Sequence, residues 1–296
     1  MMLNSFINTK VEMKKLKFHT ENTPGKSKCN VIYVGKKESA QKLYVHDKEM
    51  LEVEKHIYLG DVIHKSGRNS HNIESRISKS IGITAQIYTI LKTIKNGFHF
   101  FKSAILLRES MLLSALLVNS ESWHNLSKSD VYELEKVDHR FLETVLETPK
   151  STPTEALYLE LGILPIKYVI KGRRLNFLHY ILQRKRTSVL YRTFITQWLD
   201  PDPGDWTEAV KENLDELNIR LSLDEISAIT KEKFKSKLLE LALKELLKKK
   251  ETHRKIRKFR YEDLKMRKYL FDGSIPPEKA TTNILLQNSH GTLFPE

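Results

Sequence analysis

The sequence predicts an α+β fold dominated by helices: a small N-terminal antiparallel β element, then a helical bundle, then a second helical region. Three observations carry this. The first 65 residues hold short runs of β-branched and aromatic residues, separated by charged or glycine-containing turns. From about Ser70 the apolar residues change to a spacing of three and four. Two proline-containing breaks, Pro149-Lys150-Ser151-Thr152-Pro153 and Asp200-Pro201-Asp202-Pro203-Gly204-Asp205, then divide the helical part.

The strand candidates are residues 31–34, 42–45 and 56–63, with Gly35-Lys36-Lys37-Glu38 and Asp47-Lys48-Glu49 as the turns between them. A small antiparallel sheet or a pair of hairpins is expected. Residues 1–14 read as helix or a frayed end. Ile73, Ile77, Ile81, Ile87, Ile90 and Leu91 place one apolar stripe on a helix that starts near Ser70. A second helix is expected over 98–122. Its apolar stretch, 104–118, is interrupted by Arg108 and Glu109 and is too short to span a bilayer, so it reads as a core helix. A third begins after Ser127-Lys128-Ser129-Asp130, where Ser127 or Ser129 can cap and the early acid suits the helix dipole. Val131, Leu134, Val137, Phe141, Leu142 and Val145 line one face of it. Short links between the three helices predict a compact bundle.

After the first break, 153–161 read as a short helix stopped by Gly162, followed by a long one over 165–186. Beyond the second break come 206–217, 223–229 and a long basic helix over 231–258. Residues 271–296, rich in Pro, Thr, Asn and Ser, are expected to form a disordered tail.

The chain has 296 residues and is 40% hydrophobic, enough for one large or two ordinary domains with a real core. Its 50 Lys and Arg against 37 Asp and Glu leave a formal charge of +13, which favours an anionic partner, nucleic acid ahead of a membrane surface. The charge is segregated. Residues 165–192 carry eight Lys or Arg and no acid, 193–226 carry nine acids and two bases, and 231–270 carry sixteen bases and six acids. Two basic stretches flanking an acidic one suit a chain that touches a polyanion in places and avoids it in others. The single cysteine, Cys29, excludes an internal disulfide and a cysteine-rich zinc site. It leads an apolar run, Asn30-Val31-Ile32-Tyr33-Val34, and reads as a buried structural thiol in a reducing, intracellular compartment. Residues 1–10 lack the long apolar region of a signal peptide.

Two blocks stand out in the N-terminal region. The first is Thr23-Pro24-Gly25-Lys26-Ser27-Lys28, a turn that delivers two lysines into a strand. The second is Tyr58-Leu59-Gly60, followed by Gly67 and then Ile73-Glu74-Ser75-Arg76-Ile77-Ser78-Lys79-Ser80. In this order and spacing they resemble non-LTR (LINE-type) retrotransposon reverse transcriptases. The Lys26-Ser27-Lys28 block is similar to the end of motif D. The Tyr58-Leu59-Gly60 block is similar to motif E, the primer grip, with the helix that begins the thumb. Glu155-Ala156-Leu157-Tyr158-Leu159-Glu160-Leu161-Gly162, then Arg173-Arg174-Leu175-Asn176-Phe177-Leu178-His179-Tyr180, and Gly204-Asp205-Trp206 are similar to the region after the thumb, in elements that carry a restriction-like endonuclease. The resemblance covers about residues 15–270 and implies a palm edge over 1–65, a helical thumb over 66–148 and a helical spacer with a basic C-terminal helix over 149–270.

The activity implied is RNA-directed DNA polymerisation, with an RNA template and a DNA primer or duplex as partners, no membrane, and a nuclear location for a working protein. The family's Phe/Tyr-x-Asp-Asp box has no counterpart here, since the sequence contains no Asp-Asp pair. Polymerases need two or three carboxylates to hold two divalent ions for in-line phosphoryl transfer. No catalytic residue, metal ligand or cofactor is therefore expected in this chain; Mg2+ belongs to the intact polymerase. The chain reads as a truncated or decayed element copy, or one exon of a longer protein, that keeps the grip without the chemistry. The competing readings are a co-opted nucleic-acid-binding module and an inactive structural remnant.

Other chemistries find no support in the residues. His56, His64, His71, His99, His124, His139, His179 and His253 lack the spacing of a metal helix, and Asp200, Asp202 and Asp205 lack the EF-hand frame. Phosphate loops and serine elbows are absent. The candidate site is cationic and aromatic instead. By the resemblance, Tyr58, Leu59 and Gly60 would hold the primer strand, with Lys26 and Lys28 as further nucleic-acid contacts; Arg68, Arg76 and Lys79 would grip the duplex backbone from the turn and first thumb helix. Arg173 and Arg174 would contribute beside Asn176, Phe177 and Tyr180, and Arg254, Lys255, Arg257 and Lys258 from the basic helix. Such a grip needs cations without sequence reading.

Overall fold

The computed structural model describes residues 30–34, 42–45, 48–94, 99–124, 126–254, 256–258, 260–267 and 270. The expectations for Lys26, Lys28, Cys29, Lys255, the turn at 35–38 and the segments 1–14 and 271–296 fall outside the described residues. The chain is mostly helical, with a small β element ahead of the helices. It divides into two compact units, Met1–Ser75 and Arg76–Glu296.

In the first unit the strands are short: β1 (Asn30–Val31), β2 (Tyr44–Val45), β3 (Lys48–Glu49), β4 (Leu51–Glu52), β5 (Lys55–Tyr58) and β6 (Asp61–His64). They pair as three two-stranded ladders. β2–β3 and β5–β6 are antiparallel hairpins; Lys48 and Glu49, expected in a turn, form β3 because they pair back onto Tyr44 and Val45, and the expected strand over 56–63 folds back on itself at Leu59-Gly60. β1 and β4 instead run parallel, with Asn30 opposite Leu51. The chain between β1 and β4 is long enough to contain the β2–β3 hairpin, and a parallel pair needs such a crossover. Strand propensity cannot reveal which of two directions a two-residue pairing takes.

The helices begin with α1 (Ser70–Thr93), which starts in the first unit and continues into the second. The expected helix over 98–122 is three pieces: α2 (Phe100–Leu107), a π-helical turn (Arg108–Leu112) and α3 (Leu113–Leu116), before a 3₁₀ turn at Ser120–Ser122. α4 (Lys128–Val145) starts as the sequence predicts. Ser127 accepts from the Asp130 backbone N–H at 3.0 Å and Asp130 accepts from the Ser127 N–H at 3.0 Å, a reciprocal capping box. Its buried side chains, Leu134, Asp138, Phe141, Leu142 and Val145, recur every three to four residues, so one face enters the core.

α5 (Thr154–Leu161) ends at Gly162, whose φ of 63° no side-chain-bearing residue adopts without cost. α6 (Ile166–Leu182), α7 (Val189–Leu199), α8 (Trp206–Glu216), α9 (Leu223–Ser227) and α10 (Lys231–Glu251) follow. α7 is not among the helices the sequence predicts. Its β-branched and aromatic residues lower helix propensity, but Ser188 caps it and Phe194 buries beneath it. α10 stops at Glu251, seven residues short of 258, and residues 252–254, 256–258 and 260–267 continue as turns and irregular chain. One buried apolar cluster runs from Ile87 to Leu270, on both sides of the break at 149–153. No helix among the described residues is long and apolar enough to cross a membrane.

Candidate nucleic-acid interface

The Tyr58-Leu59-Gly60 segment is the tip of the β5–β6 hairpin, whose register pairs Lys55 with His64 and Tyr58 with Asp61. Leu59 and Gly60 are the two turn residues, at φ 48° and 89°. Positive φ at both positions is what a tight primed turn demands, and it matches the twist of the flanking strands. Gly60 adopts it freely. Leu59 does not, at a cost of about 1–2 kcal/mol.

The tip also turns its apolar side chains outward. Tyr58 is 60% exposed, Leu59 83% and Ile57 65%. Neighbours along a strand point to opposite faces, so exposure at both Ile57 and Tyr58 means that neither face of the tip is covered. A strained backbone carrying an uncovered apolar cluster is costly on both counts, and such positions concentrate at binding sites.

The β6 strand, by contrast, is anchored from Asp61 beside the turn down to the base of the hairpin. The Asn72 side chain, in the first turn of α1, accepts from the Val62 N–H at 3.1 Å and donates to Asp61 at 3.1 Å. Lys65 forms an ion pair with Glu54 and donates its backbone N–H to the Glu54 carbonyl at 2.8 Å. The His64 and His71 rings lie 3.9 Å apart. Desolvation by packed neighbours, then the facing His71, hold the His64 imidazole below its ordinary pKa, against an opposing pull from Glu54.

Arg68 is exposed but sits beyond the base of this hairpin, the far end from the tip by about 13 Å of strand. In α1, Lys79 is exposed whereas Arg76 is buried.

Arg173 and Arg174, on α6, point into the protein. Arg173 donates to the Leu117 carbonyl, to Ser120 Oγ at 3.4 Å and to the Leu113 carbonyl at 3.4 Å. Arg174 donates to the Trp123 carbonyl at 2.7 Å. They add side-chain donors to carbonyls at the end of α3 and the following turn, of which Leu113 and Leu117 also accept the Leu117 and Ser120 N–H groups. Burial pulls both guanidinium pKa values down, though nearby acids oppose the shift. Arg254, Arg257 and Lys258 are exposed in the turns beyond α10. Lys250, from the same dense run, is only 4% exposed and donates to the Arg257 carbonyl at 3.0 Å.

One polar cluster is not foreseen from the sequence. Arg108 is 1% exposed and reaches Asp138 through two hydrogen bonds, Nε to Oδ1 at 2.6 Å and Nη2 to Oδ2 at 2.7 Å. Arg108 also donates to the Leu164 carbonyl at 3.2 Å, and the Tyr158 hydroxyl donates to Asp138 at 3.1 Å. Burial works against the Arg108 charge, but Asp138 outweighs it and raises the guanidinium pKa. Burial, then the Asp138 charge, push the Tyr158 phenol well above its ordinary value. Both charges are thus satisfied within the core. The sequence signal is a single Arg in an apolar run, with its partner thirty residues on in the apolar face of α4.

A cleft of about 300 Å³ lies between α6 and α8. Its walls carry both charges: Lys171 pairs with Glu216 across it, and Lys167 pairs with Glu245 outside it at 2.5 Å. Among the described residues no group of three or more His, Cys, Asp or Glu could hold a metal ion. The site residues that remain exposed are Tyr58 and Leu59 at the hairpin tip and the cations Arg68, Lys79, Arg254, Arg257 and Lys258. No protein-family model, curated protein or solved structure matches this chain.

Proposed function

We propose that this chain is a nucleic-acid-holding portion of an RNA-directed DNA polymerase of the non-LTR retrotransposon kind, with a grip and no catalytic centre of its own. The observation that carries the reading is the β5–β6 tip: Tyr58 and Leu59 stand exposed on a hairpin whose backbone is strained at Leu59. Exposed apolar groups on a rigid, raised turn suit the sugar and base faces of a strand end, which stack on aromatic rings and tolerate any sequence. Cations supply the backbone contacts. Lys79, Arg254, Arg257 and Lys258 are exposed on the second unit and Arg68 on the first, all available to phosphates. Arg173 and Arg174 hold the helices in place instead, and Arg76 is left out of the grip because it is buried.

The partners are an RNA template paired with a DNA primer, and the protein works in the nucleus. Mg2+ would be held by carboxylates outside this sequence. The test is binding of a fluorescently labelled RNA–DNA hybrid by the purified chain. Wild type should bind at low salt and lose affinity steeply towards physiological salt. Tyr58→Ala should weaken binding about tenfold, as stacking contributes roughly 1–3 kcal/mol per base. Failure of the wild-type chain to bind at low salt would refute the reading. Primer extension by the isolated chain with Mg2+ would refute the absence of catalysis.

A further inference from the structure

We propose that the outward face of α10 is a second nucleic-acid contact, a lysine track that follows a sugar–phosphate backbone. This rests on the nucleic-acid-binding reading above but not on the hairpin.

The helix buries Phe234, Leu238, Ala242, Leu246 and Lys250, one residue in four, which defines its core-facing side. At 100° per residue, Lys233, Lys237, Lys244 and Lys248 fall within a 60° stripe on the opposite side. The stripe extends about 22 Å along the axis, the length of six or seven nucleotide steps of a paired strand. Lys233, Lys244 and Lys248 are exposed, and none of their ammonium groups makes an ion pair or hydrogen bond among the described residues. They differ in this from Lys249, which pairs with Glu245 at 3.0 Å, and from the buried Lys250. Glu240, at the margin of the stripe, interacts with Ser236 at 3.3 Å.

The N-terminal end of the track opens into a cleft of about 420 Å³, lined by Lys233, Lys237 and Arg220 together with Asn218, Leu221 and Ile229. No carboxylate lines it. Lys237 is steadied there by a 3.4 Å hydrogen bond to the Leu217 carbonyl, and Arg220 has only an exposed, 3.6 Å ion pair with Asp215. Three cations lining one cleft whose walls carry no carboxylate suit a tetrahedral anion, and a row of further lysines beyond them suits a chain of such anions. A membrane would call for apolar side chains beside the lysines, and no large apolar residue of α10 is exposed.

The experiment compares the full chain with Lys233→Gln/Lys244→Gln/Lys248→Gln, which leaves the bonded Lys237 and the apolar face intact. The probe is a labelled 20-base-pair RNA–DNA hybrid, titrated from about 50 to about 200 mM salt, with thermal unfolding followed in parallel. The triple variant should keep the wild-type melting temperature, bind about tenfold more weakly at the lowest salt, and lose about 2–3 from the slope of log K against log salt. An unchanged slope with wild-type binding intact overturns the track while leaving the hairpin grip standing. Absence of hybrid binding by wild type overturns both. Lysine-dependent binding to phosphatidylserine vesicles without hybrid binding would assign the face to a membrane and overturn the proposal.

Discussion

Tyr58-Leu59-Gly60 and Tyr158-Leu159-Glu160-Leu161-Gly162 use nearly the same residues and reach opposite ends. At the first, the tyrosine and leucine are exposed and the leucine itself takes the left-handed backbone conformation. At the second, Tyr158, Leu159 and Leu161 are buried, and Gly162 takes that conformation after the helix has ended. The second turn is fixed from every side. A Cβ on Gly162 would stand 2.0 Å from the Lys265 carbonyl carbon, the Tyr261 hydroxyl donates to Glu160 at 2.6 Å, and Tyr158 donates to the buried Asp138. The first is held on its β6 side by Asn72, at Asp61 and Val62, and at its base by Lys65 and Glu54, while Tyr58 and Leu59 stay uncovered. Residue type therefore says little about role here; what separates structure from grip is whether the fold already uses the side chain.

If that distinction is right, the buried turn should be sensitive in stability and the exposed one in binding alone. The largest effect is expected at Asp138→Ala, which strands the Arg108 charge in the core and should cost about 3–5 kcal/mol in urea unfolding. Arg108→Met combined with Asp138→Leu should recover most of that loss, because no lone charge remains. Gly162→Ala comes next, at about 2–4 kcal/mol, from the left-handed backbone and the collision with residues 265 and 266.

A smaller effect marks the edge of the same unit. Burial alone would raise the pKa of Glu245, but hydrogen bonds from Lys167, Tyr168 and Lys249 overcome it and bring the carboxylate down to about 2. A folded-state value below the unfolded one, the ordinary 4.5, means that its stabilisation is complete above pH 4.5 and fades as pH falls towards 2. Partial exposure limits it to about 1–2 kcal/mol. Glu245→Gln should be less stable than wild type by that amount at pH 7, and the two unfolding curves should converge by pH 2.

Much of the helical architecture is legible in the sequence because local chemistry decides it. Ser127 with Asp130, Gly162 after an apolar run, and the Pro-Asp-Pro-Gly turn act over three or four residues. What stays hidden depends on partners distant in sequence. Arg108 reads as an interruption of a core helix until Asp138 meets it, and the π turn at Arg108–Leu112 leaves the apolar pattern unchanged. Arg173 and Arg174 read as a phosphate grip because the Leu113, Leu117 and Trp123 carbonyls they serve lie more than fifty residues earlier. In the candidate site the turn at Leu59-Gly60 is visible, but the exposure of Ile57 beside Tyr58 and the strain at Leu59 are not. The unpaired lysines of α10 are not told apart in the sequence from neighbours such as Lys249, which is paired, and Lys250, which is buried.

The most direct measurement is made on Leu59→Asn, scoring stability and hybrid binding on the same preparation. Asparagine is favoured at this turn position ahead of glycine, so the substitution relieves the strain and should raise stability by about 0.5–1 kcal/mol. It also removes the exposed apolar side chain, so affinity for the RNA–DNA hybrid should fall about fivefold or more. A variant that is more stable and binds as tightly as wild type would contradict the assignment of the hairpin tip as a grip.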